Sequence, residues 1–284
     1  MLLGDVTLGR VVILPNVKTF NLSMGEGGPG CKIATHISCP SARLASLRYE
    51  QDVESTMSPE IFPTSVSWNA IASQYSTSRV DEIVLGIMAT DDPILVCSLS
   101  FLSPGPAVLR LDFNITARSN WFHSLGEWHA TILSRASMTI QTHPLRANVK
   151  RLRIQDRDII IDSDQLAQVA SDVGRLFQSM GSLDALTLDV FDLRPYLAPF
   201  LDLPEFRDMN QPGGFPPIKE LTVAQPSPAP AEQECMAAIV ELAKLKHEMG
   251  VPFERVTIRT KDHPPEMAEW LGQWVGVVDC RGEV

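Results

Sequence analysis

The sequence predicts an α/β repeat fold, in which a mainly parallel sheet carries helices on one of its faces. The first observation is a six-residue pattern with three apolar positions, whose four clearest copies start at Val149, Leu183, Ile218 and Phe253. These starts lie 34, 35 and 35 residues apart. The second observation is that helical periodicity follows the strand-like copies. One strand and one helix cannot bury their own apolar face, so a fixed period of this size predicts units that stack on one another.

The N-terminal half, about residues 1–148, predicts a less regular version of the same plan. Residues 11–24 and 44–49 are predicted to be extended, and residues 67–75 form a predicted short helix that begins at a serine. Looser copies of the pattern, including one near the C-terminal end of the chain, start at Val17, Leu44, Val80, Val108 and Val275.

Three extended runs then follow one another at residues 80–88, 94–102 and 108–115. Their connections are short, and parallel strands need crossovers of a dozen or more residues. These runs are therefore predicted to be antiparallel neighbours. Residues 120–140 have the periodicity of a helix.

Regular strand and helix repeats are predicted from about residue 149 to residue 284. Ser163 and Asp164 are expected to cap a helix that ends at Gly181. Further helices are predicted at residues 192–203, 232–249 and 264–274, and the last strand at residues 275–280. The helix at residues 232–249 is expected to end at Gly250, which a proline follows two residues later. We expect the whole chain, residues 1–284, to form a single domain.

Alternation along the regular strands indicates which faces of the sheet are covered. A strand buried on both faces reads as a continuous apolar run, whereas residues 149–154 and 253–258 alternate apolar and polar positions. Helices are therefore expected on one face only, as in a curved open solenoid of the leucine-rich-repeat kind, whose polar strand face is the usual binding surface. The candidate partner-binding residues on this face are Arg110, Arg151, Arg153, Thr187, Thr222, Arg255, Thr257 and Arg259.

Several segments also resemble the leucine-rich-repeat-like region of the F-box protein families of mushroom-forming fungi. They are Leu152-Arg-Ile154, Leu186-Thr-Leu188, Asp192-Leu-Arg-Pro-Tyr-Leu197, Phe253-Glu-Arg-Val-Thr-Ile258 and Trp274-Val-Gly-Val-Val-Asp-Cys280, with weaker likeness at His36-Ile-Ser-Cys-Pro40 and Ser67-Trp-Asn-Ala-Ile71. The resemblance implies the substrate-recognition part of a cullin-type ubiquitin ligase. Since repeat-like sequence begins by about Val11, we expect no F-box and no docking on a Skp-type adaptor.

Composition excludes several classes of function. The net charge of −10 argues against nucleic-acid binding, which needs a basic surface. The five cysteines are scattered, as in proteins of a reducing compartment. Asp5 and Arg10 interrupt the N-terminal apolar segment, and no run of 18 apolar residues exists, so we expect a cytoplasmic or nuclear protein without a membrane anchor.

Motifs for catalysis or metal binding are missing from the sequence. His123 and His129 are six residues apart, which does not place both on one helix face as a zinc site requires. Asp81-Glu82 and Asp91-Asp92 are adjacent pairs, which point apart on a strand. No Gly-x-Ser-x-Gly elbow is present. We therefore expect no enzyme activity, metal or cofactor.

Three functional hypotheses remain. The first is a non-catalytic module that binds a protein or peptide, in which the arginines suit an acidic or phosphorylated partner; alternatively their stems only cover the sheet. The second is an α/β enzyme with an active site in a strand-end loop, at residues 189–194 or 25–30. The third is a remnant of an F-box protein that has lost its function.

Overall fold

The computed structural model describes residues 11–24, 36–39, 42, 44–53, 80–89, 94–102, 107–117, 133, 140, 149–156, 165–202, 216–224, 232–259 and 266–281. The strands are β1 Val12–Ile13, β2 Thr19–Met24, β3 Ile37–Ser38, β4 Leu44–Val53, β5 Glu82–Ala89, β6 Ile94–Leu102, β7 Ala107–Ala117, β8 Arg151–Asp156, β9 Ala185–Val190, β10 Glu220–Ala224, β11 Arg255–Arg259 and β12 Val277–Arg281. The helices, numbered within these residues, are α1 Leu166–Gln178, α2 Arg194–Asp202, α3 Glu232–Glu248 and α4 Met267–Gly272.

Ten of these strands form one sheet, in the order β12-β11-β10-β9-β8-β5-β6-β7-β4-β2, and β1 pairs with β3 separately. Every pairing in the large sheet is parallel except those of β6, which runs antiparallel to both β5 and β7. Within the described residues the order has two ends, β12 and β2, so the sheet is open. The prediction of an α/β fold with a mainly parallel sheet is confirmed.

The predicted repeat corresponds to the register of the sheet. The second apolar positions of the four clear copies are directly paired across neighbouring strands, and so are the third positions. All of these side chains are buried: Leu152, Leu186, Leu221 and Val256 at the second position, and Ile154, Leu188, Val223 and Ile258 at the third. Strand β12 continues both rows with Val278 and Cys280. The even spacing of the sequence therefore produces continuous apolar rows on one face of the sheet.

The N-terminal half departs from this plan through two hairpins. Strands β5, β6 and β7 are consecutive antiparallel neighbours, which confirms the prediction from the short connections. Beyond them β7 pairs with β4 and β4 with β2, both in parallel. The predicted helix at residues 67–75 lies outside the described residues. Of the predicted helix at residues 120–140, Leu133 and Ile140 are described, and both are helical and buried.

The helices form a layer against the buried face of β8 to β12. Each packs against the next along the chain, α1 on α2, α2 on α3 and α3 on α4. Helix α1 buries Val169, Val173 and Phe177, residues spaced by four and thus on one side of the helix. The rings of Phe177 and Phe200 are stacked with centroids 4.9 Å apart. This contact joins α1 to α2, and stacked rings typically add about 1 kcal/mol beyond their burial.

Two of the predicted helix ends can be compared with the structure. Helix α1 begins at Leu166, and its N-cap residue is Gln165, whose side chain makes no capping hydrogen bond; Ser163 and Asp164 lie outside the described residues. The predicted stop at Gly250 is confirmed. Gly250 has a φ of 76°, and the Gly250 and Val251 amides donate to the carbonyls of His247 and Lys246 at 3.0 Å, an arrangement that closes a helix.

Candidate protein-binding face

The register of the sheet brings the predicted binding residues onto one face, which we call the polar strand face. Paired residues on neighbouring strands point to the same side of a sheet. Three rows therefore cross strands β8, β9, β10 and β11 in that order. They are Arg151, Ala185, Glu220 and Arg255 in the first row; Arg153, Thr187, Thr222 and Thr257 in the second; and Gln155, Asp189, Ala224 and Arg259 in the third.

Arg110 belongs to the second row by its backbone register. It pairs with Ser100 of β6, which pairs with Val84 of β5, and Val84 pairs with Arg153. The seven predicted residues on β8 to β11 thus share one face, and the backbone position of Arg110 is in line with their second row. The side chain of Arg110 lies outside the described residues.

Exposure differs among the predicted residues. Arg151, Arg153, Arg255 and Arg259 are exposed, and Thr187 and Thr222 are half-buried. Thr257 is an exception, because it is only 6% exposed. Thr257 lies between Arg255 and Arg259 on the same side of β11, where the long stems of arginine can cover a small side chain. Its prediction as an exposed contact residue is wrong, and we assign it to the packing of the face.

A carboxylate on β5 neutralises part of the β8 end of the face. Glu82, 14% exposed at its side chain, lies 3.6 Å from Nε of Arg151 and 3.3 Å from a terminal nitrogen of Arg153. The two guanidinium groups therefore share one acid within the sheet. Sequence reasoning treated Glu82 only as one member of an adjacent acidic pair; the signal that it missed is the pairing of β5 with β8, which puts Glu82 opposite Arg151.

The β11–β12 end of the face is differently composed. In the described part of the chain, Arg255 and Arg259 form no ion pair, whereas Arg281 binds Asp279 through two contacts, Nε to Oδ1 at 3.0 Å and a terminal nitrogen to Oδ2 at 2.6 Å. Arg259 and Arg281 are directly paired across β11 and β12. Hydrogen bonding to Arg281 lowers the pKa of Asp279 below its ordinary value, and the positive charges of Arg255 and Arg259 act in the same direction.

A second polar cluster lies at the carboxyl ends of β8 and β9, where the alternative hypothesis places an active site. The Tyr196 hydroxyl donates to Oδ2 of Asp156 at 2.9 Å, and Asp192 accepts hydrogen bonds from the backbone amide, Nε and a terminal nitrogen of Arg194. Asp156, Asp192 and Tyr196 are buried. These contacts tie the start of α2 to the sheet.

The electrostatics of this cluster favour a structural role. Burial raises the pKa of Tyr196 well above its ordinary value, with the Asp156 charge and hydrogen bond acting in the same direction. Burial likewise raises the pKa of Cys235 to about 11, assisted by Asp192. The thiol is therefore protonated at neutral pH, and a thiol is a much weaker nucleophile than a thiolate.

A groove of about 450 Å³ runs along the other end of the strands, where the chain enters the sheet. Acidic and basic residues alternate along it in sheet order: Asp81, Lys150, Asp184, Lys219 and Glu254. Lys150 lies 3.9 Å from Asp184, and Lys219 lies 3.1 Å from Glu254. Along the groove, backbone carbonyls each accept hydrogen bonds from two amides of the next repeat. The carbonyl of Lys150, for example, accepts from the amides of Asp184 and Ala185. Because these charges compensate one another, the groove fits a role in aligning the repeats.

The described residues contain no group of three or more histidine, cysteine, aspartate or glutamate side chains placed to hold a metal ion. None of the helices they form is both long and apolar enough to cross a membrane. His123, His129 and the loop at residues 25–30 lie outside this part of the chain. Comparison of the chain with protein-family models, curated proteins and solved structures finds no match.

Proposed function

We propose that the chain is a non-catalytic recognition module that binds a protein or peptide on its polar strand face. The observation that carries the proposal is the arrangement of that face, in which aligned rows of polar side chains cross β8 to β11 while the opposite face is buried under helices. A wide surface of this kind, lined by arginine and threonine side chains, suits an extended partner. Arginine forks also provide geometric specificity for carboxylate or phosphate groups.

The repeat geometry and the resemblance noted in the sequence support a more detailed proposal. Strands β8 to β12 follow one another in the sheet in chain order, and each is joined to the next through a helix. This succession supports a leucine-rich-repeat-like open solenoid, similar to the substrate-binding part of an F-box protein. In that role the partner is the protein to be delivered to a cullin-type ubiquitin ligase.

The test is affinity purification of the tagged chain from its own cells, with and without an F-box fused in front, followed by mass spectrometry. Changing Arg151, Arg153, Arg255 and Arg259 to Gln is expected to remove a reproducible partner set, because all four guanidinium groups are exposed on the polar strand face. Lys244→Gln is the control, since Lys244 is an exposed cation on helix α3.

Both variants must retain the circular dichroism spectrum and melting temperature of the wild type. A partner set that survives the fourfold change would contradict the proposal, as would one that is lost equally with Lys244→Gln. Partners that are recovered only when the F-box is fused to the chain would be assigned to the F-box.

A further inference from the structure

Strand β12 lies at one end of the ten-stranded sheet, and among the described residues its outer edge has no partner strand. The amide of Val277 donates to the Glu254 carbonyl at 3.0 Å, so it points toward β11. Successive residues of a strand direct their backbone groups to alternate edges. The N–H and C=O groups of Val278 and Cys280 therefore point away from β11. They are in position to pair with a further strand.

The apolar rows of the sheet also reach this edge without being fully covered. Their members on β11 are buried, whereas Val278 and Cys280, which continue the rows on β12, are half-buried. Trp270 and Val277 are the two exposed large apolar side chains of the part formed by β8 to β12 and α1 to α4, at 44% and 49% exposure. The outer unit of a stacked fold usually presents a polar side. This one favours contact with another protein surface.

The charges along β12 make the strand complementary to a second copy of itself. Asp279 and Arg281 are two residues apart, so they lie on one face of the strand, and their side chains form an ion pair. Two copies of β12 can run antiparallel with Cys280 opposite Cys280. Asp279 of each copy then lies opposite Arg281 of the other. The four charged groups alternate in sign around the two-fold axis.

The backbone directions agree with this register. Because Cys280 points its N–H and C=O to the open edge, two copies exchange both hydrogen bonds there. Asp279 and Arg281 then form the closer, non-hydrogen-bonded pairs, with Cα atoms about 4.5 Å apart. A register centred on Asp279 would instead place two aspartates opposite each other, and like charges in that relation destabilise a sheet.

Arg281 gains further from a carboxylate on its open side. On its inner side it is directly opposite Arg259 of β11, a contact between like charges that is unfavourable in a sheet. Asp279 of a second copy would offset this contact. Arg281 is 68% exposed at its side chain, so a second copy can reach it.

We propose that two copies of the chain form a dimer by antiparallel pairing of their β12 strands, centred on Cys280. Pairing of β12 with itself uses the same surface on both copies and therefore closes, whereas pairing of β12 with β2, the other end of the sheet, would continue into filaments. The two sheets become one, with both polar strand faces on the same side. This inference does not depend on the proposed function.

The first test is sedimentation-velocity ultracentrifugation of the full chain at concentrations up to about 1 mM, the weak end of specific association. We expect a dimer whose fraction rises with concentration. Cys280→Pro removes the N–H that points to the open edge and leaves the pairing with β11 in place, so we expect dimerisation to weaken by about tenfold or more. Cys280→Ala keeps the N–H and is the control, with an expected change within about twofold. Thermal unfolding checks that each variant is folded.

Charge variants test the register without changing the backbone. Asp279→Arg and Arg281→Asp each place like charges opposite one another across the axis, and each is expected to weaken the dimer by about tenfold or more. An equimolar mixture of the two variants restores the alternation, so we expect it to form a mixed dimer. Lys244→Glu reverses an exposed charge on helix α3 and should leave dimerisation within about twofold of the wild type.

Four outcomes would overturn the proposal. The first is a chain that stays monomeric at every concentration, and the second is a dimer that Cys280→Pro leaves intact. A dimer that persists in Arg281→Asp would exclude the register centred on Cys280. A mixture of the two charge variants that stays monomeric, although both are folded, would exclude the ion pairs between copies.

Discussion

At the scale of single residues, the hydrogen bond from Tyr196 to Asp156 links α2 to strand β8. Both residues are buried, and the donor to acceptor distance is 2.9 Å. Tyr196→Phe removes the donor but leaves the carboxylate in place, so we expect the free energy of unfolding to fall by about 1–3 kcal/mol. Urea denaturation measures this loss.

Ser179→Ala is the matched control for Tyr196→Phe. The Ser179 hydroxyl donates to the Leu176 carbonyl at 2.7 Å in a partly exposed helix end. Because water can replace that bond, the expected loss is within about 0.5 kcal/mol. A loss of the same small size for Tyr196→Phe would mean that the buried pair does not stabilise α2.

Lys246 supplies a pH-dependent prediction. Its side chain, 2% exposed, places Nζ 4.9 Å from the centroid of the Phe253 ring. Burial lowers the pKa of Lys246 from 10.5 to about 8. Between pH 8 and pH 10.5 the unfolded chain then binds more protons than the folded chain at this residue, so the contribution of Lys246 to the unfolding free energy rises with pH. At pH 7 Lys246 is protonated in both states, so folding includes the free-energy cost of removing its ammonium group from water.

Lys246→Met is therefore expected to raise the unfolding free energy at pH 7, by about 1–2 kcal/mol after loss of the cation–π contact. The advantage should shrink as the pH rises from 8 toward 10.5. Lys244→Met, at an exposed site in the same helix, should show neither effect. Chemical denaturation across this pH range measures both. A Lys246→Met variant that is less stable at every pH would contradict the burial penalty.

The sequence was a partial guide to individual residues. Four exposed arginines of the face were correctly placed by alternation along single strands. The sequence did not indicate that Glu82 holds Arg151 and Arg153, because that contact depends on which strand lies beside β8. For the same reason the sequence did not single out Asp279 and Arg281. Their ion pair lies beside the arginines of β11 because β11 pairs with β12.

At the scale of secondary-structure elements, helix α3 depends on Gly250 for its termination. The left-handed φ of 76° is strained for residues with a Cβ atom. Gly250→Ala is expected to lower the unfolding free energy by about 1 kcal/mol, although no atom crowds the added methyl group. Gly181→Ala is the control, because Gly181 also has open space but no positive φ.

Thermal unfolding distinguishes these two glycine variants. We expect Gly181→Ala to melt within a few degrees of the wild type or slightly above it, since alanine restricts the unfolded chain. Equal destabilisation by both substitutions would show that the positive φ of Gly250 adds no cost of its own. That result would contradict the role given to Gly250.

The elements that the sequence predicted most closely are those in which the repeat is clearest. Strands β8 to β11 and helix α3 were located closely, because apolar spacing, polar alternation and a glycine stop agreed. The antiparallel neighbours β5, β6 and β7 were inferred from short connections. The start of α1 was predicted less closely than these elements. Its N-cap residue is Gln165, whose side chain makes no capping hydrogen bond. The order β7-β4-β2 depends on long-range pairing, which local patterns do not encode.

At the scale of the whole molecule, the sheet separates two environments. In the part formed by β8 to β12, one face is buried under α1 to α4, and the other presents rows of arginine, threonine and acidic side chains. Periodicity predicted this division correctly, because alternating strands can be covered on only one face. The curved solenoid and the partner remain proposals, since a one-sided sheet is compatible with more than one overall shape.

The measurement that tests the central proposal most directly is alkylation of cysteines introduced on the two sides of the molecule. Thr222→Cys places a thiol at the centre of the polar strand face, and Lys244→Cys places one on the exposed side of α3. Peptide mass spectrometry reads each position separately from the native thiols. With a captured partner present, we predict several-fold slower alkylation of Thr222→Cys and an unchanged rate for Lys244→Cys. Protection of Lys244→Cys alone, or equal protection of both sites, would contradict binding through the polar strand face.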